Sequence, residues 1–130
     1  MNTKAKGTGA ERELVKLLWQ NNWAAIRVAG SGSSRYPSPD ILAGKGKRKI
    51  AIESKITKTT RQYFSKKEIE ELNEFSTIFG AEPWVGIKFK NKHWKFLTLE
   101  DLKDTGAQFG VTSTTAELKG LSFEEVINGF

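Results

Sequence analysis

Pro39-Asp40, followed after twelve residues by Glu53-Ser54-Lys55, constrains this chain more than anything else in it. Asp40 opens the run Asp-Ile-Leu-Ala-Gly, and Glu53 and Lys55 close the run Ile50-Ala-Ile-Glu-Ser-Lys. Both runs read as strands, joined by the basic turn Lys45-Gly-Lys-Arg-Lys. A hairpin folded on that turn brings Asp40 near Glu53, and the strand period of two sends Glu53 and Lys55 to one face. Two carboxylates and an ammonium converging on a sheet face suit metal-assisted hydrolysis. The carboxylates would hold Mg²⁺ while the lysine positions or polarises the attacking water. The alternative is an edge strand with its charges turned outward. The apolar run Ile50-Ala51-Ile52 before Glu53 weighs against it, as does Pro39, whose ring restricts the chain entering Asp40.

The 130 residues fit a single domain over 1–130, with a real core. Apolar content of 38% with 28% charged residues describes a globular chain, not a disordered one. No apolar run approaches a membrane span, and no apolar stretch follows the N-terminal charges as in a signal peptide. The absence of cysteine excludes disulfides and thiolate-ligated metal, and it is consistent with the cytosol. A single histidine, His93, excludes a histidine-rich metal site.

Net charge is +6, but nine basic residues stand between Lys45 and Lys67 against one acidic residue, Glu53. A basic block around a carboxylate–lysine pair points to phosphate contact. Lys47, Arg48, Lys58, Arg61, Lys66 and Lys67 are therefore the candidate nucleic-acid contacts, with solvated surface as the alternative.

Residues 1–8 read as a flexible arm and Gly9–Asn21 as a helix with Leu14, Leu17 and Leu18 inward. Trp23–Ala29 reads as a strand, and Gly30–Pro39 as a mobile loop rich in Ser, Gly and Pro. After the hairpin, Thr57–Ser65 reads as a second flexible loop. Lys66–Phe79 reads as a helix stopped by Gly80 and Pro83. Trp84–Phe89 and Trp94–Leu99 alternate as strands around a turn at Lys90–His93. Thr98–Leu102 suits a short helical turn, Asp104–Ala116 has no clear pattern, and Ser122 with Glu125 spells a capping box for a last helix. The order helix, three strands, helix, two strands implies an α/β fold with a mixed central sheet.

Other residues carry weaker signals. Glu11 reads as an ordinary first-turn glutamate or as a third carboxylate of the site. Arg12 and Arg27 are open between surface charge and phosphate contact. The Gly30–Ser34 loop lacks the Gly-Lys-Ser/Thr of an NTP site, and its serines suit a nucleic-acid backbone better. The four tryptophans suit a core or subunit interface. Phe75 and Phe79 with Trp23 suggest an apolar patch for a homodimer.

Taken together, Lys6-Gly7-x-x-Ala10-Glu11-Arg12-Glu13, Ile26-Arg27-Val28-Ala29-Gly30-Ser31, Pro39-Asp40-Ile41-Leu42-Ala43-Gly44 and Ile52-Glu53-Ser54-Lys55 resemble the archaeal-type Holliday junction resolvases. These are nucleases of the Pro-Asp…Asp/Glu-x-Lys superfamily. The resemblance extends through Tyr63, Phe75-Ser76, Gly80, Gly86–Phe89 and Leu118–Glu125. It implies a restriction-endonuclease-like fold, a central mixed five-stranded sheet flanked by helices. It implies that Glu11, Asp40, Glu53 and the backbone carbonyl of Ser54 hold Mg²⁺, for which Mn²⁺ substitutes. Lys55 would be the catalytic lysine, Arg12 and Arg27 the support of the scissile phosphate, and Ser31 the serine of the mobile loop. The implied partner is a four-way DNA junction at the nucleoid, clasped by a homodimer that nicks two strands of like polarity, with no membrane and no small-molecule cofactor. Two other readings stay open: a restriction or repair nicking enzyme of the same superfamily, and a non-catalytic DNA-binding module.

Overall fold

Leu14 and Leu18, one helical turn apart, are both fully excluded from solvent and seat the first helix. The computed structural model describes residues 3–129. In it, α1 spans Thr3–Gln20. Residues 3–8, expected as a flexible arm, are therefore helical, while Met1 and Asn2 lie outside the described residues. Asn22 ends the helical segment with φ 65°, a left-handed conformation that asparagine tolerates better than most residues. Trp23 then turns into the core.

The strands that follow are β1 (Ala24–Arg27), β2 (Ile41–Lys45) and β3 (Arg48–Thr57). After β4 (Arg61–Ser65) and α2 (Lys66–Phe79) come β5 (Glu82–Phe89) and β6 (Lys95–Leu97). The main sheet has the order β1-β2-β3-β5-β6. Every neighbouring pair is antiparallel except β3 and β5, which are parallel and need the crossover through α2. This is the mixed five-stranded sheet flanked by helices that the sequence implied. The remaining elements are β7 (Lys103–Asp104), β8 (Gln108–Thr112), α3 (Ser113–Lys119) and α4 (Phe123–Asn128). A short helical turn at Leu99–Asp101 and a Ser122–Glu125 capping box on α4 match the sequence expectation.

Two further stretches depart from it. Thr57–Ser65 is not one flexible loop, because Arg61–Ser65 forms β4 in a second sheet of order β4-β8-β7. Phe64 is the reason: it is fully buried, while Arg61 and Tyr63 stay exposed. One inward side chain in five residues is too thin a pattern to read as a strand. The patternless stretch 104–116 resolves into β8 and α3, anchored by Val111 and Ala116 and capped by the Thr112 hydroxyl, which accepts from the Thr115 amide.

β3 divides the core. Ile50 and Ile52 face α1 and α4 with Trp23, Trp84, Trp94, Phe96 and Phe123, whereas Ala51 faces α2 with Phe64, Leu72, Val85, Ile87 and Phe89. The same alternation carries Glu53 and Lys55 to the α2 side. On the other side, the Phe96 ring lies directly against Gly86 and is held by Trp94 and Phe123, its centroid 6.2 and 6.4 Å from theirs. A Cβ at Gly86 would lie 2.8 Å from Phe96 Cε1. Gly86→Ala is therefore expected to destabilise the fold by about 1–3 kcal/mol through overpacking, read as a lower urea midpoint at unchanged m-value.

Candidate active site

β3 continues beyond the end of its neighbour. The first residue of β2, Ile41, pairs with Ile52, so Glu53–Thr57 have β5 on one side and no partner strand on the other. Asp40 sits where β2 begins. Its amide donates to the Ile52 carbonyl at 3.0 Å, and its own carbonyl accepts from the Val28 amide at 2.8 Å. Its carboxylate is also held twice: Oδ1 accepts from Ser31 Oγ at 2.6 Å, and Oδ2 from the Ser54 amide at 2.9 Å. In a strand the N–H and C=O of one residue point to the same edge. The Ser54 carbonyl therefore faces the same open edge as its amide.

A cleft of about 440 Å³ opens at this edge. Its lining includes Glu11 from α1, Ser31, Ser38 and Asp40 from the loop before β2, and Glu53, Ser54 and Lys55 from β3. Ser65, Lys67, Glu68 and Glu71 close it from the start of α2. Glu11, Ser31, Asp40, Glu53, Ser54 and Lys55, separated by up to 44 positions in the chain, thus meet in one place. The loop that carries Ser31 is a turn of 3-10 helix at Ser31–Ser33, entered through Gly30 at φ 68°.

Negative charge is in excess here. The Glu53 carboxyl is pushed up to about 9, first by burial, then by the charges of Asp40 and Glu68, with Lys55 pulling the other way. Glu11 rises to about 7 by burial and by Asp40, opposed by Arg27, whose Nη1 is 3.8 Å away. Glu68 moves the opposite way. Burial raises it, but the Ser65 amide and the Lys55 ammonium outweigh burial and hold it below the usual carboxylate range. Lys55 Nζ lies 3.1 Å from Glu68 Oε2 and 5.5 Å from the centroid of the Phe64 ring.

The basic block does not surround Glu53. Lys47 lies in the β2–β3 turn, six residues before Glu53, or about 20 Å along an extended strand. Arg48, expected to contact DNA, is instead an internal clasp. Its Nε and Nη2 bond Glu82 at 2.9 Å each, Nη1 bonds the Val126 carbonyl at 2.8 Å, and its guanidinium covers the Trp23 ring at 5.2 Å. Lys66 pairs with Asp104 and covers the Phe109 ring. Lys58 is exposed after β3, Arg61 lies in a separate depression beside Tyr63 and Lys103, and Lys67 reaches the cleft. Arg12, the next residue around α1 from Glu11, is exposed and does not line the cleft. Glu68 and Glu71 are cleft residues that the sequence reading did not single out. The signal for Glu68 is Ser65-x-x-Glu68, a second capping-box spelling.

The chain matches the archaeal Holliday junction resolvase (Hjc) family over residues 2–130. It is 43% identical over 127 residues to the crossover junction endodeoxyribonuclease Hjc of Archaeoglobus fulgidus, covering 98% of this chain and 93% of that protein. It is 34% identical over 122 residues to the Hjc of Methanocaldococcus jannaschii, covering 94% and 86%. The crystal structure of A. fulgidus Hjc, described as a Holliday junction resolvase from an archaeal hyperthermophile, superimposes with a TM-score of 0.84 at 42% identity, covering 91% of this chain and 95% of that one.

The raised Glu53 carboxyl has a consequence for stability. A carboxyl whose folded-state value lies above its unfolded value stabilises fully below the unfolded value, near 4.5, and that contribution fades as pH rises through about 9. The metal-free protein is expected to lose thermal stability across this window. Glu53→Gln should flatten the dependence, checked by thermal midpoints in a chelating buffer series.

Proposed function

The chain belongs to the archaeal Holliday junction resolvase family, and we propose that it is a divalent-metal-dependent endonuclease that resolves four-way DNA junctions by paired symmetric nicks. The observation that carries this reading is the convergence of Asp40, Glu53 and Lys55 at the open edge of β3.

The donor set fits a hard divalent cation. Among the described residues no three His, Cys, Asp or Glu side chains form a ready metal cage. Mg²⁺ takes one or two carboxylates, keeps waters and uses substrate phosphates for the rest. Asp40 and Glu53 would hold it, with the Ser54 carbonyl at the open edge and Glu11 alongside, and Mn²⁺ would substitute. When bound, the ion supplies charge neutralisation at the phosphodiester and lowers the pKa of water. The protein side chains do the rest. Ser31 and the Ser54 amide fix the Asp40 carboxylate. Lys55 directs an ammonium into the cleft toward the incoming phosphate. Arg27, beside Glu11, offers its planar fork to a phosphate oxygen, and Lys67 and the exposed Arg12, Lys58 and Arg61 hold the flanking backbone.

Paired nicks require two clefts, and an exposed apolar face suits a second copy. Trp19 (57% exposed), Ile26 (59%) and Phe79 (44%) form it along the open edge strand β1 and the end of α2. Trp23, expected in this patch, is 1% exposed and belongs to the core. Phe75 is half-buried and stacks on Phe79 at 5.4 Å. A two-fold dimer joined here would be isologous. Ile26→Asp with Phe79→Asp is expected to yield a folded monomer by sedimentation that nicks one strand at a time.

The decisive experiment is Mg²⁺-dependent cleavage of a synthetic four-way junction beside linear duplexes of the same arms, with nicks mapped on every strand. Symmetric paired nicks confined to the junction are expected. Asp40→Asn should lower the rate by ~10²- to 10³-fold, the order seen when a charge-stabilising group is lost, while junction binding persists. Equal cutting of the linear duplexes would overturn junction selectivity, and normal cutting by Asp40→Asn would overturn the metal assignment.

A further inference from the structure

Glu68 also faces Glu53, whose proton affinity it helps to raise, but its two carboxylate oxygens each have a further task. Oε1 accepts from the Ser65 amide at 2.8 Å and closes the capping box of α2, while the Glu68 amide donates back to Ser65 Oγ at 3.0 Å. Oε2 takes the Lys55 ammonium at 3.1 Å. The helix that carries Glu68 is seated in the core by Ile69 and Leu72, 5% and 1% exposed. The carboxylate is therefore fixed by its cap, by the helix start and by packing, and it passes that fixity to a lysine on a long, flexible stem. The same motif occurs again at Ser122–Glu125, where the Ser122 amide donates to Glu125 Oε1 at 2.9 Å. Glu125 is exposed and lies outside the cleft. One capping box is thus only a cap, and the other is a cap joined to the site.

On the reading of the cleft given above, we propose that Glu68 is the positioning residue for Lys55: it holds the ammonium in its working place through the second oxygen of a helix cap. The arrangement couples the start of α2 to the chemistry on β3, so Lys55 needs no search among rotamers when a phosphate arrives. A misplacement of about 1 Å in a reacting constellation costs up to ~10²-fold in rate.

Glu68→Gln separates the two tasks. A glutamine keeps one acceptor for the Ser65 amide, as capping boxes with Gln do, and turns an amide NH₂ with no acceptor toward Lys55. The rate of junction cleavage at saturating protein is expected to fall ~10- to 100-fold. Junction affinity measured without metal should stay within ~2-fold, and the thermal midpoint should match that of Glu125→Gln. Glu125→Gln should cleave as the unsubstituted protein does. In a Lys55→Met background, Glu68→Gln should cost nothing further, because a residue that acts through Lys55 has nothing left to act on. An unchanged rate in Glu68→Gln, or losses that multiply in the double variant, would overturn the proposal. If the unsubstituted protein fails to cut the junction, or Lys55→Met cuts at full rate, the reading of the cleft itself falls instead.

Discussion

The site depends on one carboxylate bridging two segments of the chain. Asp40 stands where β2 begins and β3 has five residues still to run. Its side chain fills the gap that a partner strand would fill, accepting the Ser54 amide on one oxygen. With the other it takes Ser31 Oγ and ties down the loop before it. Removing that bridge would free an amide at the sheet edge and release the loop together. The cleft exists because β2 stops short, and its floor is ordered because Asp40 replaces the missing ladder.

The electrostatics follow from that placement. Asp40 is close enough to raise both Glu53 and Glu11, and burial works in the same direction on each. Glu68, with Lys55 and a backbone amide as partners, goes the other way. Neighbouring carboxylates of one cleft are thus driven apart in proton affinity by their partners. The excess negative charge is what a divalent cation would neutralise, and oxygen donors of this kind suit a hard cation. Stability and function pull in opposite directions here, since the ionised carboxylates that suit a cation are costly to the metal-free fold.

Much of this was legible along the chain. The Asp40–Glu53 proximity follows from a hairpin with a recognisable turn, and the common face of Glu53 and Lys55 from strand period two. Helix α2 runs over Lys66–Phe79 as its apolar stripe and following glycine indicate. The second sheet was not legible, because β4 presents one buried side chain and β8 pairs with it across more than forty residues. The role of Arg48 was hidden for a similar reason. In a run of lysines and arginines nothing distinguishes the one that meets a distant glutamate, and only the β3–β5 register brings Glu82 to it.

By itself, then, the sequence determined what local geometry can carry: the strand and helix periods, the hairpin with its Asp40, Glu53 and Lys55, and the Ser122–Glu125 capping box. These rest on contacts between residues close in the chain, where backbone geometry permits few alternatives. The tertiary structure alone decided which charges face the cleft and which hold the fold together. It set Arg48 against Glu82, divided the basic block between two ends of β3, and brought Glu68 to Lys55 from another element. Long-range packing chooses those partners, and a charged side chain looks the same in sequence whether its partner is a phosphate, a carboxylate or water.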